Sequence, residues 1–140
     1  MSGKSAKVAA MLVGIESGPW DRRYVGWFEC FNRGEYYEAH DVLEDLWLEG
    51  GKAGANYAFH KGLIQFAGAF VHLQKGRLGP AVALFRLAEA NLQRYPSRHD
   101  GVDLGTILQS LTDWREAVEV RVGVNPLGQR PPPLVERPEI

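Results

Sequence analysis

The sequence predicts a single all-α domain, a bundle of about five helices. Three observations carry that expectation. Apolar residues recur at helical spacing through the interior, Gly and Pro fall between the periodic stretches, and the β-branched residues are too scattered to give an alternating run of five. At 140 residues the chain is long enough for one core and too short for two domains.

Each element has its own signals. Asp21 caps a first helix running to Phe31, and Asn32-Arg33-Gly34 stops it. A second helix runs from about Glu35 to Leu48 and closes at Gly50-Gly51. The third and longest extends from about Ala53 to Lys75, ending at Gly76. Pro80 suits the first turn of a fourth, from about Leu78 to Gln93, which Tyr95-Pro96 terminates. Asp103 caps a fifth, from about Leu104 to Val120. Gly34 and Gly76 each follow a helix stop and precede Ala by five residues. This echo is too short for a solenoid and suggests two alike, tetratricopeptide-like helical hairpins packed in one bundle.

Proline places the boundaries. Five of the eight prolines (Pro126, Pro131, Pro132, Pro133 and Pro138) lie in the last fifteen residues. The reading is therefore an N-terminal segment over 1–20, a helical domain over 21–121, and a Pro-rich extended tail over 122–140, with a loosely ordered terminus the simplest expectation and a tail that wraps the domain or reaches a partner the alternative. Lys4 and Lys7 ahead of the apolar stretch Val8 to Ile15 resemble a signal peptide in outline. Glu16 ends that stretch and no small-residue cleavage site follows, so a targeting role is not expected.

Composition excludes several function classes. The formal net charge is −1, from 16 Lys and Arg against 17 Asp and Glu, so no nucleic-acid or anionic-membrane partner is expected. No apolar run reaches the roughly 18 residues of a transmembrane helix. Hydrophobic residues at 45% argue against disorder along the chain. The lone Cys30, among Trp27, Phe28 and Phe31, can form no internal disulfide and reads as a small core hydrophobe in a cytoplasmic protein. No serine-hydrolase spacing and no phosphate loop occurs.

The sharpest functional signal is polar residues where apolar ones belong. On a helical wheel stepping about 100° per residue, His40 and Glu44 fall within roughly 60° of Tyr36, Tyr37, Leu43 and Trp47, while Glu38, Asp41 and Asp45 point to the opposite, solvated side. The third helix is apolar around nearly its whole circumference, apart from one stripe of Ala58, Lys61, Gly62, Gln65, Gly68, Ala69 and His72. Buried His and Glu need partners, so this stripe is expected to pack against His40 and Glu44. His60 lies far from Gln65 on the wheel and is expected at a surface or interface. His99 and Asp100, beside Gly101, read as turn and cap residues.

Three readings fit that arrangement: a metal site, a metal-free small-molecule pocket and a buried structural network. His40 and Glu44, at i,i+4, with His72 as a third ligand, have the composition of a site for a divalent metal (zinc, iron or manganese). Against it stands a buried network in which Lys61 pairs Glu44 and the histidines bond Gln65 or backbone. HxxxE on a helix is common by chance, and the structural network weighs more.

The stretch Phe31-Asn32-Arg33-Gly34-Glu35-Tyr36-Tyr37-Glu38-Ala39-His40-Asp41-Val42-Leu43-Glu44-Asp45-Leu46-Trp47 resembles the opening motif of the domain-of-unknown-function 309 family. Lys61-Gly62-Leu63-Ile64-Gln65 is similar to its second motif, followed by His72, and Gly76 and the Gly101-Val102-Asp103 turn also resemble the family pattern. The resemblance spans roughly residues 24–115. It implies a small, all-helical, prokaryotic type of protein and no reaction, and it singles out Glu38, His40, Glu44, Trp47, Lys61, Gln65 and His72. His60 stands where the family pattern suggests an aromatic or aliphatic residue.

The sequence thus leaves open whether the protein is an enzyme. It points to a helical bundle of unknown role whose His/Glu/Lys/Gln network lines a small pocket. As an enzyme it would be a metal-dependent hydrolase, with Glu44 as general base, His40 and His72 as ligands or acid–base partners, and Lys61 opposite developing negative charge. As an interaction module, its hairpins would present a groove to a peptide partner or form a homodimer.

Overall fold

The computed structural model describes residues 3–140, with side chains from residue 6. Met1, Ser2 and the side chain of Lys4, at the head of the N-terminal segment, lie outside the described residues. The architecture is all-α: α1 (Gly3–Met11), α2 (Arg22–Asn32), α3 (Tyr36–Gly50), α4 (Tyr57–Gln74), α5 (Leu78–Leu92) and α6 (Leu104–Val120). A two-stranded antiparallel hairpin, β1 (Arg98–His99) and β2 (Val102–Asp103), precedes α6, and a 3-10 turn at Pro126–Gly128 follows it.

Capping fixes the helix starts as the sequence suggests. Asp21 accepts from the Arg23 amide and Asp103 from the Thr106 amide. Only the start of α4 moves, from Ala53 to Tyr57. The repeated glycine is a repeated helix stop. Gly34 (φ +76°) and Gly76 (φ +71°) are left-handed, and the residue after each donates back five positions, Glu35 N to Cys30 O at 2.9 Å and Arg77 N to His72 O at 2.9 Å. This is the Schellman arrangement, which reverses the chain at once into an antiparallel partner. It makes two hairpins, α2–α3 and α4–α5, packed side by side, with α6 added against α5.

The core is aromatic and turns on α4. Phe70 contacts Phe31 at 5.5 Å, Tyr36 at 4.8 Å, Phe85 at 5.5 Å and Trp114 at 5.0 Å. Its ring therefore touches α2, α3, α5 and α6 together. Phe66 adds Phe31 at 5.0 Å, and Trp27 stacks on Phe31 at 4.8 Å. Trp27, Phe28, Phe31, Phe59, Phe66, Phe70 and Phe85 are fully buried. Cys30 is buried beside them as a hydrophobe, its thiol pushed up to about 11 by burial.

Three features depart from the sequence reading. The N-terminal segment carries a helix, α1, whose Val8 is buried and whose Lys7 pairs with Asp41 at 3.3 Å. Asp41, expected on the solvated side of α3, is consequently buried. Asp45, on the same side, pairs with Arg23 of α2 at 2.9 Å. The glycines of the α4 stripe receive α5 rather than α3: a Cβ at Gly62 would lie 2.7 Å from Leu92 Cγ, and one at Gly68 3.2 Å from Leu84 Cδ1. The tail, finally, lies along the bundle, with Pro126, Val135 and Pro138 buried.

Opposite effects are expected at two glycines. Gly62→Ala forces an overpacked contact with buried Leu92 and should cost about 1–3 kcal/mol. Gly50→Ala, at the end of α3 with open space around it, should gain about 0.5–1 kcal/mol by restricting the unfolded chain. Urea unfolding monitored by circular dichroism reads both signs.

Candidate functional site

Three rungs set the antiparallel register of α3 on α4. Gln74 Nε2 donates to Gly34 O at 3.3 Å, Tyr36 stacks on Phe70, and the Lys61 ammonium sits over Trp47. His72 is thereby level with the start of α3, a turn before His40. His40, Glu44 and His72 do not converge, and among the described residues no group of three or more His, Cys, Asp and Glu is placed to hold a metal ion.

The remaining polar residues fall into separate local arrangements. His40 is half-buried, with Nε2 3.4 Å from Glu44 Oε2 and Nδ1 3.2 Å from Asp41 Oδ1. Lys61 faces two rings, Trp47 at 5.9 Å and Tyr57 at 5.6 Å, themselves 5.2 Å apart, a cation–π setting. Gln65 Oε1 accepts from Asn91 Nδ2 of α5 at 2.7 Å. Glu38 is half-buried in the first turn of α3, where the helix dipole favours a carboxylate. Of the expected network, the amide of Gln65 is thus bonded to α5 and the ammonium of Lys61 faces the aromatic pair.

A cleft of about 200 Å³ opens between α3, α4 and α5, lined by Tyr37, His40, Ile64, Gln65, Gly68, Val71, His72 and Leu84. It gathers His40, Gln65 and His72 from the predicted set, whereas Glu38, Glu44, Trp47 and Lys61 do not line it. Gly68 makes its floor, since no side chain there fills the angle between α3 and Leu84 of α5. His72 Nδ1 is buried without a hydrogen-bond partner among the described residues. Burial, with the charges of Arg77 and Lys75, lowers the pKa of that imidazole, so it faces the cleft uncharged. Wider depressions of about 640 and 630 Å³ lie along α6 and the tail, bordered by Asp113, Glu116, Arg121 and Arg130, and hold none of these residues.

The family model of the domain of unknown function DUF309 matches residues 25–92, from within α2 to the end of α5. Residues 25–92 are a DUF309 domain. The cleft lies entirely within the match. The Gly101-Val102-Asp103 turn, α6 and the tail lie beyond it. No curated protein and no solved structure matches the chain. No helix among the described residues is long and apolar enough to cross a membrane.

A second polar cluster, at the seam between the DUF309 domain and the hairpin, escaped the sequence reading. Asp100 (φ +45°) and Gly101 (φ +77°) form the two-residue turn that an Asp-Gly pair favours. The turn aims Asp100 at the bundle, where its backbone carbonyl accepts from Tyr24 Oη at 2.8 Å and its carboxylate from Asn56 Nδ2 at 2.6 Å. His99 Nε2 lies 2.8 Å from Asn56 Oδ1, and Tyr95 Oη bridges Ala55 O and the Phe59 amide. His60 sits behind them against the Tyr24 and Phe59 rings. Only the Asp-Gly pair was a usable sequence signal, because the partners are dispersed from Tyr24 to Asp100.

Burial holds the His60 pKa down at about 4, with Asp100 and Asp21 opposing and His99 and Arg23 adding to the shift. Because the folded value lies below the unfolded one of about 6.5, His60 costs nothing above pH 6.5. Stability then falls as pH drops from 6.5 towards 4, by up to about 3 kcal/mol. His60→Phe should flatten that acid limb while leaving the pH 8 melting temperature close to wild type. A series of melts between pH 4 and 8 checks both.

Proposed function

We infer that the protein is an interaction module whose α3–α4–α5 cleft receives one apolar side chain of a partner polypeptide. The observation that carries this reading is the size and lining of the cleft. Its volume of about 200 Å³ falls below the ~300–1,000 Å³ typical of small-molecule sites, yet suits a single large apolar side chain. Ile64, Val71, Leu84 and the Gly68 floor supply apolar walls. The uncharged His72 and the half-buried His40 offer polar contacts at the side, the pattern of an anchor pocket with a polar rim. Exposed Tyr37 (52%) extends the apolar surface outward from one edge. The hydrolase alternative lacks such support, since its proposed base, ligands and cation do not face one cavity. A cytoplasmic setting is consistent with the lone, buried Cys30.

Site-specific photo-crosslinking in cells tests the reading. A benzophenone amino acid at Tyr37 should give one dominant protein adduct, and Leu84→Lys, which places an ammonium in the cleft, should cut its yield at least tenfold. The same probe at Arg94, exposed after the end of α5, should give no such adduct. Equal yields at the two positions, or an adduct indifferent to Leu84→Lys, would sink the proposal.

A further inference from the structure

The tail is bound to the bundle as a ligand is bound to a receptor. Asn32, the last residue of α2, grips the main chain of one residue: its Nδ2 donates to Val135 O at 2.8 Å and its Oδ1 accepts from Val135 N at 2.7 Å. A carboxamide used this way reads extended backbone, as a neighbouring β-strand would. A second main-chain pair follows, Glu139 N to Gly101 O at 2.9 Å, and Trp20 Nε1 donates to Glu139 O at 2.8 Å. Two side chains three positions apart, Val135 and Pro138, are buried. Charges bracket them: Arg137 pairs with Glu29 at 2.8 Å and Glu139 with Arg98 at 2.9 Å.

Everything that recognises the segment lies in the folded body, and everything recognised lies within residues 135–140. The intervening stretch 129–134 is almost wholly exposed, with Leu134 at 76%. It includes Pro131-Pro132-Pro133, a stiff extended spacer. A cavity of about 230 Å³ remains under the strap, between Leu134 and Val135 and the Thr106–Ile107 side of α6. So few buried residues put the strap at the low end of local stability. A groove with these properties distinguishes its own tail from that of a second molecule only by local concentration, on the order of millimolar for a short tether.

We propose that the groove formed by the end of α2, the β-hairpin turn and the start of α6 is a binding site for an extended Val-Glu-Arg-Pro-Glu segment, filled in cis by the tail and filled in trans by the tail of a second copy. The chemistry it selects is an extended strand with a β-branched residue and a proline three apart, a cation between them and an acid after.

The test uses the full chain and a labelled synthetic peptide copying residues 131–140. Val135→Lys unseats the strap without altering the groove, and Pro138→Lys serves the same purpose if the first variant does not melt cooperatively. The peptide should bind the unseated chain saturably and the wild type at least tenfold more weakly, because the cis tail competes. Adding Asn32→Leu to the unseated chain, or Val135→Lys to the peptide, should cut binding at least tenfold. Mixing the Val135→Lys chain, which has an empty groove, with an Asn32→Leu chain, which has a free tail, should give a 1:1 complex by sedimentation, each alone being monomeric. Failure of the folded, unseated chain to bind the peptide, or binding indifferent to Asn32→Leu, overturns the proposal. So does a mixture that stays monomeric at millimolar concentration.

Discussion

The structure depends on the aromatic packing that buries one face of α4 among the other helices. Phe70 touches rings from α2, α3, α5 and α6, and Phe66 repeats the contact with α2 one turn earlier. Phe59, Phe66 and Phe70 share one face of α4 and anchor it in the core, while Lys61, Gln65 and His72 on other angles stay half-buried. The other helices are arranged as its cover. Large-to-small changes in such a centre remove both the transfer and the packing terms at once. The exception is the side where Gly62 and Gly68 leave α4 without bulk. There α5 approaches closely enough to bring Leu92 and Leu84 onto the backbone, and the cleft is the gap between that approach and α3.

The polar residues follow from this geometry. Once α5 occupies the glycine side, Gln65 is within reach of Asn91 and is spent on that bond. Once the register is set by Tyr36 on Phe70, Lys61 falls over Trp47 and Tyr57, and His72 falls beyond His40. Among the described residues, Trp27 Nε1, Tyr36 Oη, Trp47 Nε1 and His72 Nδ1 are buried without a hydrogen-bond partner, and burial lowers the pKa of the His72 imidazole.

Much of the fold was legible because its signals are local. Asp21 and Asp103 cap the helices whose starts they mark, and the Gly34 and Gly76 stops share one hydrogen-bond pattern. The DUF309 motif was readable for the same reason, being one helix and its neighbour. The candidate site was legible only in part. His40, Gln65 and His72 do line one cavity. Glu44, Lys61 and Trp47 were grouped with them by wheel angle, which gives the direction of a side chain and says nothing of which helix meets it. The Asp100 cluster left almost no trace, because its members are spread over the whole chain and meet only when the hairpin folds back on α2 and α4.

What the sequence determined by itself is where the helices lie, where they stop, that α4 is the central one, and that Cys30 is packing. Periodicity, capping and left-handed glycine act within a turn or two of chain, so they survive in one dimension. The tertiary structure alone decided which neighbour covers each face: α1 over Asp41, α5 over the glycines, and the tail over the end of α2 beside Asn32. Those choices rest on contacts between segments far apart in sequence, whose energies depend on register and close packing between whole elements. No local pattern encodes them.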